Sequence, residues 1–149
     1  MILVKENLEK RRCVYKKDNT YIKVWDDIKP DWISNHVKIL CEHCPNLVND
    51  YGDNWISYNE IEGTPVSKLE HNTELIEKVY NFCLESLKTT RPYVHGDWVI
   101  SNIIMKPDNS FCLIDWDNIG IYSESEVITK LHNDLHSSFG DRFYDATSI

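Results

Sequence analysis

The sequence predicts an α+β fold, and three observations carry that prediction. Short runs with two-residue alternation, separated by turn-forming residues, occupy the first 58 residues. Three longer stretches, opening near Asp31, Leu69 and Glu124, space their apolar residues at helical intervals. Two further apolar runs, Ile103-Ile104-Met105 and Phe111-Cys112-Leu113-Ile114, flank a turn at Lys106-Pro107-Asp108-Asn109 and carry acidic or amide residues at one end. A chain of 149 residues is one domain or two small lobes sharing a hinge. The pattern divides it into a small antiparallel sheet with one helix (residues 1–58), a connecting segment (59–63) and a mostly helical part (64–149).

Taken in order, residues from Lys10 to Trp25 read as a hairpin turning through Lys16-Lys17-Asp18-Asn19. In its second strand Ile22 and Val24 share one face, and Tyr21, Lys23 and Trp25 the other. A lysine among aromatic residues is by default a surface residue snorkelling to water. Asp31 to Cys44 reads as an amphipathic helix bounded by Pro30 and Pro45. Ile33, Val37 and Leu40 set its apolar spacing, and Cys41 and Cys44 continue it, which predicts buried thiols. Cys41-Glu42-His43-Cys44, with His36 nearby, has the outline of a zinc half-site, but a single CxxC is weak evidence for one.

Leu47 to Tyr51 and Trp55 to Tyr58 form a second strand pair around Gly52-Asp53-Asn54, followed by the segment Asn59-Glu60-Ile61-Glu62-Gly63-Thr64-Pro65. Leu69 to Lys88 is a helix with Leu75, Val79, Phe82 and Leu87 on its apolar face, stopped by Thr90-Arg91-Pro92. Glu124 to Phe139 is the last helix, with Val127, Ile128, Leu131 and Leu135 inward and Gly140 ending it. The nine residues beyond are expected to fray. His132 and His136 lie four apart, but without an HExxH pattern they read as a solvated or capping face.

Composition excludes several classes. A net charge of −8 argues against a general nucleic-acid binder, which needs a basic patch. No run approaches the roughly 18 apolar residues of a membrane span, and the start is too short for a secretory apolar region. Five cysteines, an odd number, fit reduced thiols. The expectation is a cytoplasmic protein with no membrane and no nucleic-acid partner.

The chemistry concentrates in His95-Gly96-Asp97-Trp98-Val99-Ile100-Ser101-Asn102 and in Asp115-Trp116-Asp117 at the end of the next strand. Hard oxygen ligands converging on one edge suit Mg²⁺, which takes one or two carboxylates together with substrate phosphates. An Asp followed five residues later by an Asn matches the H-R-D-x-x-x-x-N catalytic loop of protein kinases, with Gly96 in place of Arg. His-Gly-Asp, the Asn, and Ile-Asp at the end of the next strand together resemble the aminoglycoside phosphotransferase and choline kinase branch of kinase-like enzymes. Singly, these residues would be turn caps and a strand end; jointly, at fixed offsets, they are far more specific.

The resemblance runs from Tyr21 to Gly120 and implies a reduced two-lobed protein-kinase-like fold with ATP between the lobes. By it, Asp97 accepts the proton of an acceptor hydroxyl, Asn102 and Asp115 hold Mg²⁺, Tyr21 stacks on adenine and Lys23 binds phosphate. The carbonyl of Asn59 and the amide of Ile61 bind the adenine edge, and His95 supports the loop. Two departures matter. The hairpin turn has no glycine, the first in the chain being Gly52, so backbone amides approach phosphates less closely. The partner of Lys23 stays open between Glu42, nineteen residues on, and Asn35 or His36. The family's large acceptor-binding helical insert is almost absent, so a second copy or a partner protein could complete the pocket. Three functions follow: an ATP- and Mg²⁺-dependent phosphotransferase acting on a small-molecule hydroxyl, a nucleotide-binding regulatory module, and a non-catalytic metal or interaction domain built on Cys41, Cys44 and the histidines.

Overall fold

A computed structural model describes residues 1–148. The chain forms two compact units, one from Met1 to Ile61 and one from Glu62 onward.

The first unit is a five-stranded antiparallel sheet with one helix. Its strands are β1 (Ile2–Asn7), β2 (Arg12–Lys17), β3 (Thr20–Trp25), β4 (Val48–Tyr51) and β5 (Trp55–Asn59), in the spatial order β1-β2-β3-β5-β4. Lys17 pairs with Thr20, so the β2–β3 turn is the dipeptide Asp18-Asn19, with Asp18 left-handed (φ 52°). The Thr20 hydroxyl donates to the Lys17 carbonyl at 2.8 Å and closes the turn. Strand β1 was not predicted: its residues are almost all exposed on both faces, so no burial alternation marked it.

Helix α1 (Pro30–His43) starts on a proline at its first position, where the missing N–H costs nothing. It packs on β4 and β5. Ile33, His36, Val37 and Leu40 are its buried residues, and here two expectations are corrected. The stripe takes in His36 and ends at Leu40. Cys41 lies off the stripe and is exposed, and Cys44 sits half-buried beyond the last turn. On β3 the Lys23 and Trp25 face is the buried one, at 8% and 5% exposure, so Lys23 is no snorkelling surface residue.

The second unit combines a three-stranded antiparallel sheet, β6 (Thr64–Pro65), β7 (Ile103–Met105) and β8 (Phe111–Leu113), with helices α2 (Thr73–Thr89), α3 (Glu124–Phe139) and α4 (Arg142–Thr147). Asn72 caps α2 by accepting the Leu75 amide at 2.9 Å. The buried stripe of α2 is Ile76, Val79 and Cys83; of the expected Leu75, Val79, Phe82 and Leu87 it keeps Val79, while the other three are half-buried, and Phe82 meets Phe111 at 5.5 Å between ring centroids. Helix α3 matches its predicted bounds. A reciprocal Ser123–Glu126 capping box opens it and Gly140 (φ 72°) follows its last turn.

The expected fraying of the last residues is a further correction. Arg142–Thr147 fold as α4 because Phe143, wholly buried, packs edge-on to Tyr80 and against His132, and Ile149 lies outside the described residues. His132 also shares a hydrogen bond with the Tyr80 hydroxyl at 2.9 Å, and His136 one with Asp141 at 3.0 Å, so the two histidines serve different contacts. Among the described residues no three His, Cys, Asp or Glu side chains cluster to hold a metal, and no helix is long and apolar enough to cross a membrane. The described residues thus make an α+β fold with a five-stranded antiparallel sheet and four α-helices.

Candidate active site

The loop ahead of β7 is fixed from several directions. Val94 and Gly120 form an isolated antiparallel bridge, with N–H···O distances of 2.8 and 3.0 Å, which ties the loop's start to the segment after Asp117. Gly96 is left-handed (φ 83°), and a Cβ there would come within 2.5 Å of the Asn118 carbonyl oxygen. Only glycine meets both conditions, which is the physical content of the Gly in His-Gly-Asp.

His95, 1% exposed, is a structural pin. Its Nδ1 accepts the Asp97 amide at 3.1 Å. Its Nε2 lies 2.7 Å from the Ile114 carbonyl, which can only accept, so the imidazole carries its proton on Nε2. The ring joins the loop to the end of β8 and packs edge-on to the Trp116 ring, whose indole N–H donates to the Leu113 carbonyl at 3.0 Å. With both nitrogens committed, His95 supports the loop and is not available as a base.

Asn102 is 8% exposed and ends a short 3₁₀ turn, Ile100–Asn102. Its Nδ2 donates to the Asp97 backbone carbonyl at 3.3 Å and to the Asp97 carboxylate at 3.2 Å. With the amide hydrogens spent on Asp97, the Oδ1 atom is the one offered elsewhere. A hard oxygen donor of that kind fits Mg²⁺. The Ile114 amide donates to the Asn102 carbonyl at 2.9 Å, which sets Asp115 one residue beyond this link. Asp115 itself is left-handed (φ 59°), a conformation rare outside glycine and concentrated at functional sites. Asp97, Asn102 and Asp115 are therefore joined through direct bonds and one backbone bridge.

One residue of this loop's support was not legible in the sequence. Asp134 on α3 accepts the Trp98 amide at 3.0 Å while pairing with Lys130 at 3.3 Å. A lysine and an aspartate four apart on a helix read as an ordinary surface pair, and nothing local indicates the amide 36 residues away. Trp98 is buried, and its indole nitrogen has no hydrogen-bond partner.

The residues expected to face a nucleotide lie in the first unit. Tyr21 is half-buried on β3, with the Lys16 ammonium 5.4 Å from its ring centroid. The Lys23 ammonium lies 5.2 Å from the Tyr58 ring centroid. Asn59 ends β5, where its amide donates to the Leu47 carbonyl at 2.9 Å and its side chain to the Asn46 carbonyl at 3.0 Å. The Glu60 amide is taken by the Asn19 carbonyl at 2.8 Å, and Ile61 follows. Lys16 of β2 also pairs with Glu60 at 3.2 Å, so that lysine is tied to the segment after β5.

Of the three α1 residues weighed as partners of Lys23, His36 is the buried one. It is 3% exposed, whereas Asn35 and Glu42 are exposed. Burial, and secondarily the Lys23 ammonium, lower the His36 imidazole from its ordinary 6.5 to about 4. His36 stacks on Trp32 with ring centroids 4.6 Å apart, and Trp32 stands edge-on to Trp25 at 5.4 Å.

No protein-family profile matches the chain, and no curated relative matches its sequence. Solved structures do match it in fold. The 2.2 Å crystal structure of WbdD matches with a TM-score of 0.58 at 16% identity, covering 89% of this chain and 36% of that one. A structure described as the bifunctional kinase-methyltransferase WbdD matches with a TM-score of 0.57 at 16% identity, covering 87% and 35%. A monomeric WbdD matches with a TM-score of 0.59 at 12% identity, covering 92% and 39%. At such identity the likeness is one of fold. The chain spans a little over a third of the length of these structures, and the fold it shares is that of part of a kinase-bearing enzyme.

Proposed function

We propose that the chain is an ATP- and Mg²⁺-dependent phosphotransferase of the aminoglycoside phosphotransferase and choline kinase type, moving the γ-phosphoryl group to a hydroxyl of a small-molecule acceptor. The observation that supports it most is the hydrogen-bonded set Asp97, Asn102 and the Ile114–Asn102 link to Asp115, built on an immobilised His95. In this reading residues 1–58 form a nucleotide lobe, 59–63 a hinge and 64–149 the lobe that receives the acceptor.

Phosphoryl transfer asks the protein for positioning and charge more than for covalent chemistry. Asn102 Oδ1 and the Asp115 carboxylate would hold Mg²⁺, which when bound neutralises the phosphate charge. Asp97 accepts the acceptor's hydroxyl proton as the oxygen attacks the γ-phosphorus and the bond to the β-phosphate oxygen breaks. The Asn102 side-chain amide orients the Asp97 carboxylate for that proton. Tyr21 gives the adenine a ring to stack on, Lys23 gives the phosphates a cation, and the Asn59 carbonyl and Ile61 amide give the base a main-chain edge. WbdD has also been co-crystallised with the kinase inhibitor LY294002, with a TM-score of 0.55 to this chain at 13% identity, which supports the kinase-like part of the reading.

The test has two parts. ATP with Mg²⁺ at 100 times its Kd should stabilise the protein by about 2.7 kcal/mol. A positioned base contributes about 10²–10⁴ in rate, so Asp97→Asn should lose phosphate transfer by that factor while still binding the nucleotide. Absence of binding overturns the proposal.

The tight Asp18-Asn19 turn favours a second reading. Without a glycine-rich loop above the phosphates, the chain would be a nucleotide-binding regulatory module. Mg²⁺-dependent binding with turnover unchanged in Asp97→Asn would select it.

A further inference from the structure

We propose that the edge formed by β1 and the turn after it docks on an anionic lipid bilayer, its aliphatic side chains entering the acyl boundary and its lysines meeting the headgroups. The proposal is independent of the phosphotransferase reading. β1 is the outermost strand of the five-stranded sheet and pairs only with β2. Five of the ten large apolar side chains that stand exposed among the described residues belong to the first eight residues. Ile2, Leu3, Val4 and Leu8 are 51–79% exposed. Single apolar side chains are ordinary on a surface, whereas a run of them marks an interaction site. This run is carried on hydrogen-bonded backbone. After the β1 ladder, the Lys10 amide donates to Asn7 Oδ1 at 3.0 Å and the Arg11 amide to the Leu8 carbonyl at 3.3 Å.

Charge selects the occupant. Residues 1–17 hold six of the chain's sixteen lysines and arginines but only two of its twenty-four acids, Glu6 and Glu9. The net charge of −8 conceals this local excess. Arg12 is buried, Arg11 pairs with Asp27, and Lys16 pairs with Glu60. Lys5, Lys10 and Lys17 are exposed and form no ion pair among the described residues. Lys5 lies within the apolar run and Lys10 two residues beyond Leu8. Lys16 stands opposite Ile2 on β2, which brings Lys17 to the other end. A second copy, or any added strand, is resisted here: two such edges repel, and a bulge between Leu3 and Lys5, with the lysine itself, blunts strand pairing. A nucleic acid would use the lysines and leave the aliphatic side chains idle, because bases stack on aromatic rings and none of the exposed large apolar side chains in residues 1–17 is aromatic. An anionic bilayer uses both kinds of side chain. Docking of this kind needs no spanning helix, and none is present among the described residues. It departs from the expectation of no membrane partner.

The experiment sediments the full chain with vesicles of phosphatidylcholine alone, and with vesicles of phosphatidylcholine and phosphatidylserine in equal amounts. Wild type should partition onto the mixed vesicles about tenfold or more over the neutral ones, since each cation near a charged bilayer contributes about fivefold. Lys5→Gln, Lys10→Gln and Lys17→Gln combined should weaken that binding about a hundredfold by the same reasoning. Leu3→Ser with Leu8→Ser should weaken it about tenfold, the low end for burying one leucine. Equal partition onto both vesicles, or none, overturns the proposal. So does a lysine effect without a leucine effect, which is charge attraction alone. A doubled mass in light scattering that the leucine variant abolishes would assign the edge to a second copy. Tighter binding to a single-stranded oligonucleotide than to the mixed vesicles would assign it to nucleic acid, and either result overturns the proposal. Circular dichroism checks each variant; should one not fold, the wild-type comparison and the other variant decide.

Discussion

His36 makes a stability prediction independent of any ligand. In the unfolded chain its imidazole takes up a proton near 6.5, whereas in the fold it does so only near 4. Between those values the unfolded state holds more protons, so stability falls as pH falls through this window. The linkage relation gives a loss of about 2 kcal/mol between pH 7 and pH 5 from this group. Denaturant melts at the two pH values should show that loss in wild type and a shallower pH dependence in His36→Gln. The cysteines give a second contrast. Burial pushes the Cys83 thiol up, and Cys83 is wholly covered on α2, whereas Cys41 is exposed. Thiolate and access together set reactivity. Maleimide should therefore label Cys41 in the native protein and reach Cys83 only after unfolding; equal native labelling would contradict the α2 packing.

At the level of elements, local signals were read well where they were strong and local. Helix α3 was legible because its start, its apolar spacing and its terminating glycine agree, and Pro30 marked the start of α1. The misreadings have one physical source: packing partners far away in the sequence choose which side of an element is buried. Helix α2 turns Ile76, Val79 and Cys83 inward and leaves Leu75 and Phe82 half-buried, and α1 buries His36 where apolar spacing pointed to Cys41. Helix α4 is the clearest case. Six residues form no stable helix alone, so a frayed end was the reasonable expectation. One aromatic side chain reverses it, since Phe143 is buried where α2 and α3 supply Tyr80 and His132. Phe143→Ala should cost about 3–5 kcal/mol in a denaturant melt. Ser123→Ala, which removes one half of the α3 capping box, should cost about 1 kcal/mol. If the first costs no more than the second, α4 is not docked as described.

At the scale of the molecule, the candidate site's residue types and offsets were legible, and its supports were only half so. Asp97, Asn102 and Asp115 stand out because three polar residues at fixed spacing, bracketed by short apolar runs, are improbable as separate turn caps. Asp134 was invisible, since its amide partner belongs to another part of the chain, and the position of His36 was one of three open choices until α1 gained its orientation. The residues proposed to face a nucleotide belong to the first compact unit, and those proposed to hold a metal to the second. A phosphotransferase needs both sets engaged by one ligand, whereas a regulatory module needs only the first. Hydrogen exchange separates these cases without measuring activity, because ligand binding slows local opening wherever contacts form. Under the phosphotransferase reading, ATP with Mg²⁺ should slow exchange both at β3 and the end of β5 and at the Asn102 and Asp115 amides, and ATP with chelator should protect the first group more than the second. Protection confined to the first unit even with Mg²⁺ would mean that Asn102 and Asp115 hold no metal against the phosphates, and the binding module would then be the better account of the chain.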